Sequence, residues 1–209
     1  MSHTAEFLSL MAVFLVAAVT PGADFACVMR ESVVHGRRAG VFAAIGVGSA
    51  ILVHVGYTVL GIGLIVAHSV VAFTIVKWVG AAYLVWLGIK SFRAPAPALP
   101  DPGTHDPAAR PARRSLAIGA LTNLLNPKAT LFFVSLFSTI VSPQTPLLFQ
   151  LGYGLAMAVT LAVWFTIVAV FLTTGTARAA FARAGRWFNR ATGLVLIGLG
   201  VRVALQRSH

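Results

Sequence analysis

Acidic residues are scarce in this chain: of 209 residues only five are Asp or Glu, against sixteen Lys and Arg. Cysteine is scarcer still, with Cys27 standing alone. A single cysteine excludes an internal disulfide and any Cys-x-x-Cys redox or metal pair, and leaves Cys27 the role of a small buried hydrophobe. Charge of either sign is missing over long stretches, from Ala39 to Val76 and again from Ala129 to Ala177. With 58% hydrophobic residues, 10% charged and a mean hydropathy of +0.87, the chain has too little polar surface to cover a soluble core. It therefore reads as an all-α integral membrane protein in contact with the lipid bilayer. The N-terminus also lacks the basic n-region and small-residue cleavage site of a secretory signal, so the first apolar segment is expected to be a retained span. The net charge of +11 does not point to nucleic acid. The bases sit in loops without interleaved aromatics, where they set orientation.

Each uncharged run is too long for one span at about 20 residues and too short for three, so each holds most of two helices. The pattern predicts six transmembrane helices. The first runs from about Glu6 to Met29, interrupted near Pro21, and a charged turn follows from Arg30 to Arg38. The second covers Gly40 to Val66, a turn falls at Ala67-His68-Ser69, and the third covers Val70 to Phe92. Residues 94–114 read as a flexible linker, because six of the ten prolines fall there with Asp101, Asp106 and Arg110 and few large apolar residues. The fourth helix is expected from Ser115 to Val141, with a turn at Ser142–Pro146, the fifth from Leu147 to Thr173, and the sixth from Trp187 to Leu205.

Twelve of the sixteen bases fall on one side of this layout: in the turn after the first helix, around the linker, and before the sixth helix. The other side has only Arg202 and Arg207, while Lys77 and Lys128 lie within spans. The positive-inside rule then makes the linker cytoplasmic and both termini external. Residues 1–93 and 115–209 also resemble each other weakly: Thr20-Pro21-Gly22-Ala23 matches Asn126-Pro127-Lys128-Ala129, and Leu84, Leu87, Gly88 and Lys90 match Leu196, Leu199, Gly200 and Arg202. Three helices per copy means the two repeats insert in opposite senses, within a single transporter domain. In that design the broken helices, here the first and the fourth, meet at the bilayer midplane.

Asp24 follows the break made by Pro21 and Gly22, next to Thr20, inside an apolar helix. A carboxylate at that depth costs roughly 2.5–3.5 kcal/mol, which marks it as functional unless it merely fastens helices in a static ion pair with Lys128. Asn126, Pro127 and Lys128 supply the complement: an amide, a second break and a cation, with Asn123 one turn earlier. Together they predict a site whose acid holds an ammonium or a proton and whose base attracts a carboxylate. His54 and Lys77 are candidates for a proton relay. A hydrogen-bonded structural role for His54 and interfacial anchoring for Lys77 are the alternatives. Small residues at four-residue spacing, among them Gly46/Ala50, Ala44/Gly48 and Gly154/Ala158, predict close helix packing. Asp24 and Cys27 are one turn apart, which leaves a divalent cation open as cargo, but no further ligand completes a metal site. No cofactor and no enzyme motif is present.

These motifs resemble the lysine exporter and homoserine/threonine resistance (LysE/RhtB) family of bacterial amino-acid exporters. The resemblance runs from Thr20-Pro21-Gly22-Ala23-Asp24 through Gly80-Ala81-Ala82-Tyr83-Leu84 to Thr122-Asn123-Leu124-Leu125-Asn126-Pro127-Lys128-Ala129, and is closest to the threonine-exporting branch. It implies six helices in the inner membrane, proton-driven efflux of a small amino acid such as threonine, homoserine, lysine, leucine or cysteine, and often a homodimer. Family members usually carry a second proline before the aspartate, where this chain has Ala23. On this reading the substrate's carboxylate lies near Lys128 and Asn126 and its ammonium near Asp24, until a proton displaces it.

Overall fold

The computed structural model describes residues 2–94, 110–171 and 175–205, all of them helical apart from short turns. Eight helices follow one another: α1 (His3–Val19), α2 (Ala23–His35), α3 (Arg37–His68), α4 (Val70–Arg93), α5 (Ala112–Leu124), α6 (Pro127–Ile140), α7 (Leu147–Phe171) and α8 (Gly175–Leu205). Stretches of α3 (Arg37–Gly63), α4 (Thr74–Arg93) and α7 (Leu147–Phe171) are long and apolar enough to cross a membrane. The pair α1–α2, bent by 52° at its break, makes a fourth span if counted as one. The chain is thus a multi-pass membrane protein. The bulk of linker residues 94–114, together with Thr173 at the expected end of the fifth helix and Arg207, lies outside the described residues.

Three expected boundaries are corrected. The turn expected from Arg30 to Arg38 is helical as far as His35, and the reversal is confined to Gly36, whose φ of +89° suits a residue without a Cβ. The last helix starts at Gly175, twelve residues ahead of Trp187, so the bases expected in a loop before it lie along a helix. Its first turns are rich in Ala and Arg, strong helix formers that a search for apolar runs passes over. The turn at Ala67–Ser69 shrinks to Ser69, whose side chain caps α4 by accepting from the Ala72 amide.

Packing pairs the first half of the chain with the second. α4 lies along α8 and against α6, and α3 packs against both α5 and α7. Glycines set the closest approaches. A Cβ on Gly46 would sit 2.1 Å from the Leu116 carbonyl oxygen, and one on Gly119 would sit 2.1 Å from that of Ala43, so α3 and α5 touch backbone to backbone. Gly88 and Gly193 do the same for α4 and α8. Gly48 faces Ala158 and Ala162, and Gly154 faces Val55, so these small residues serve packing inside the bundle; Gly152 faces open space.

Candidate functional site

Both interrupted helices break at a proline, and each break leaves the following helix to start afresh inside the bundle. At the first, Thr20 caps α1 with its amide donating to the Ala17 carbonyl, and extended Gly22 precedes α2. At the second, the Asn126 amide donates to the Asn123 carbonyl, and the Asn126 side chain accepts from the Lys128 amide at 3.0 Å. Pro127 then takes the first position of α6, where its missing N–H costs nothing. Counted from their caps, Asp24 and Lys128 occupy the same slot, the second residue of α2 and of α6.

The two slots face one cavity of about 80 Å³. That is room for roughly five to eight water-sized groups, the size of a small amino acid. Thr20, Gly22, Asp24, Asn123, Asn126 and Lys128 line its polar part. The Asn123 Nδ2 donates to Asp24 Oδ2 at 2.9 Å. Asp24 Oδ1 and Asn123 Oδ1 are buried without a hydrogen-bond partner among the described residues. Asp24 and Lys128 influence each other electrostatically, yet no ion pair within 4.0 Å joins them, so the static fastening considered from sequence is not the arrangement found. Much of the remaining lining is apolar and aromatic and includes Phe14, Phe132, Phe133, Leu161, Phe165 and Leu196, with the Thr192 hydroxyl among them.

A second cavity, of about 290 Å³, shares Thr20, Leu87 and Lys128 with the first. It runs past Tyr83 and Trp86 to Lys90, Ser91 and Ala94 at the end of α4, so Lys128 stands where the two meet. There the Tyr83 hydroxyl donates to the Lys128 carbonyl at 3.3 Å, and the Lys90 ammonium lies 5.0 Å from the Trp86 ring centre.

His54 is fully buried behind this site. Its Nε2 lies 3.2 Å from the Asn123 carbonyl, which can only accept, so Nε2 carries the proton and Nδ1 accepts from the Tyr57 hydroxyl. The ring stacks on Phe133 with centroids 5.3 Å apart. His54 therefore holds the C-terminal end of α5, and with it Asn123, in register. Lys77 lines neither cavity and makes no hydrogen bond or ion pair among the described residues; the structure does not bring it to the site.

Sequence reasoning passed over three acid or hydroxyl groups that shape the surroundings. Thr192 of α8 shares a hydrogen bond with Thr20 and donates to the Val16 carbonyl at 2.9 Å, tying the first break to α8. Glu31, 1% exposed, accepts from Arg110 and from the Ser115 hydroxyl, each at 2.9 Å. Glu6, equally buried, accepts from the Ser142 amide and the Thr145 hydroxyl. The two glutamates thus bind opposite ends of the bent α1–α2 pair to the second half of the chain. Their only sequence signal is a carboxylate at each end of an otherwise apolar segment.

The profile of the LysE type translocators matches residues 15–207. The chain belongs to the LysE type translocator family. Among its relatives are a threonine efflux protein of Escherichia coli K12, 31% identical over 96% of this chain and 98% of its own, and a homoserine/homoserine lactone efflux protein of Salmonella typhimurium, 31% identical over 91% of each. The uncharacterized membrane protein YrhP of Bacillus subtilis is 30% identical over 94% of this chain and 99% of its own length. No solved structure matches the chain.

Proposed function

We propose that this translocator exports a small amino acid across the bacterial inner membrane in exchange for protons, acting as a carrier and not as an enzyme. The observation that carries the reading is a mismatch of partners in one cavity: among the described residues, two buried acceptors, Asp24 Oδ1 and Asn123 Oδ1, have no donor, and the cation Lys128 has no anion within 4.0 Å. A zwitterion completes all three. Its ammonium donates to Asp24 and Asn123, and its carboxylate meets the Lys128 ammonium. The names of the threonine and homoserine efflux relatives support the substrate class and make those two the first to test.

In this reading α1–α2, α3, α4, α5–α6, α7 and α8 are six spans in two inverted repeats, 1–93 and 115–209, joined by a cytoplasmic linker, with both termini periplasmic. The matching slots of Asp24 and Lys128 support the repeat, and the one-sided placement of the bases supports the orientation. Substrate then arrives through the larger cavity from the Lys90 end and crosses at Lys128. A proton from outside competes for Asp24, removes the partner of the ammonium and releases the substrate outward. In proteoliposomes, Asp24→Asn is expected to lower proton-driven uphill export at least about 100-fold, the scale of a lost charged partner in a buried site. Uphill transport at the wild-type rate overturns the mechanism.

A further inference from the structure

We propose that protons and cargo use separate passages on the cytoplasmic side, and that Glu31 is the group through which the proton leaves. The inference rests on the proton exchange proposed above and names its exit. Only five residues of the chain are acidic, and Asp101 and Asp106 belong to the linker; the other three, Glu6, Asp24 and Glu31, lie on the bent α1–α2 pair. Asp24 already has a part in transport, whereas Glu31 has none beyond its grip on α5. Glu31 follows Asp24 by seven residues, about 10 Å along α2 at 1.5 Å per residue, and shares its face of the helix.

That face meets α5 in a polar seam. The Asn123 Nδ2 donates to Asp24, the Thr122 hydroxyl donates to Cys27 Sγ at 3.4 Å, and the Ser115 hydroxyl donates to Glu31 Oε2 at 2.9 Å. Cys27 feels the charge of both carboxylates and stands between them on the helix. At the end of the seam Arg110, its side chain 14% exposed, donates to Glu31 Oε1 and links the buried carboxylate to the surface. The substrate passage has the opposite character. Among the described residues the larger cavity is lined by Lys90 and Lys128 and by no carboxylate, and two cations disfavour a hydronium there. The proton released by Asp24 therefore moves along the seam. The Thr122 hydroxyl and the Cys27 thiol each take up one proton and pass on their own, ending unchanged, and the Glu31 carboxylate receives it. Neutral Glu31 loses its attraction for Arg110; the proton then goes to cytoplasmic water and the ion pair re-forms. Of the elements packed against α2, α3 carries Arg37, Arg38, His54 and Tyr57, α5 carries Arg113 and Arg114, and α7 carries Tyr153 at its far end, beside His3. α2 itself adds Arg30 and His35, and Arg110 pairs with Glu31 at 2.9 Å.

Proteoliposomes of the full chain, loaded with labelled threonine, are read in two ways: uphill export driven by a proton gradient, and exchange of labelled for unlabelled threonine with no gradient. Glu31→Gln keeps the shape of the side chain and an oxygen for Ser115. It is expected to lower gradient-driven export roughly 100-fold, the scale of a lost proton-transfer group, while exchange, which moves no proton, continues. Glu31→Asp, which restores a carboxyl, is expected to recover part of the driven rate. Driven export by Glu31→Gln at the wild-type rate overturns the exit and leaves proton exchange standing. Loss of driven export and of exchange together, with a lower thermal midpoint in detergent, assigns Glu31 to structure alone and overturns the exit as well. Wild-type export that is indifferent to the gradient overturns the proton-exchange reading and this proposal with it. Arg110→Gln supplies a second test. The Arg110 cation favours the Glu31 carboxylate, so without it the carboxyl holds its proton to higher pH. Acid on the cytoplasmic side is then expected to stop export at a higher pH than in the wild type, and an unchanged pH profile overturns the assignment of Glu31.

Discussion

The two breaks use one sequence device, a proline just ahead of a charged residue in an apolar run, and arrive at different local structures. The second is locked. Asn126 caps α6 through its side chain, Pro127 fills the first helical position, and His54 grips the Asn123 carbonyl from behind. The first is open: Gly22 offers no side-chain cap and a Cβ built there touches nothing within 4 Å. The charges differ in comfort as well. In the same slot near a helix N-terminus, the dipole favours the Asp24 carboxylate and opposes the Lys128 ammonium, each by roughly 0.3–1 kcal/mol. The difference teaches that equal sequence spacing sets where a helix breaks, while the capping residue sets how firmly the break is held. A cation kept in a disfavoured slot on the firm side is a place prepared for an anion.

The sharpest way to break that comparison is to remove the disfavoured charge. Lys128→Met is expected to raise the KM for export roughly 100-fold, the scale of losing a buried partner for a carboxylate, with a smaller effect on kcat. An unchanged KM means the carboxylate does not meet Lys128. Next comes the pair of caps. Asn126→Ala is expected to cost about 1–2 kcal/mol, seen as a lower thermal midpoint in detergent, whereas Gly22→Ala at the other cap, where no side-chain bond is lost, is expected to cost about half as much. Equal losses at the two sites erase the distinction between locked and open. The smallest effect is expected from Ala23→Pro, which restores the residue common in the family. Ala23 is the first residue of α2, where proline fits, and Gly22 is already extended, with φ −157° and ψ −162°. Stability is expected to stay within about 0.5 kcal/mol of the parent, and a larger drop shows that the open break needs its Ala23 amide.

Both breaks, the all-helical membrane character and the polar cluster were legible because each rests on residues close in sequence. Pro21 and Pro127 cannot sit inside a helix without interrupting it, and Asp24 and Lys128 are conspicuous in apolar runs. What was not legible depends on distant partners. Glu31 reads as one charge in a turn until the fold brings Ser115 to it from 84 residues away. Thr192 carries no local signal, since its meaning lies in Thr20 on another helix. His54 was legible as a buried histidine, but the carbonyl it holds belongs to Asn123, 69 positions on. The early start of α8 was hidden for another reason: apolar runs report membrane residence, and the turns from Gly175 to Trp187 are helical without being apolar.

The backbone contacts of Gly46 with α5 and of Gly88 with α8, and the grips of Glu6 and Glu31, all run between residues before the linker and residues after it. Neither piece holds both members of any of these contacts. Each half is therefore the mould for the other. The instruction to assemble lies in complementary surfaces and not in covalent continuity, so a nick between residues 95 and 109 would interrupt the polymer without interrupting the recognition that builds the bundle.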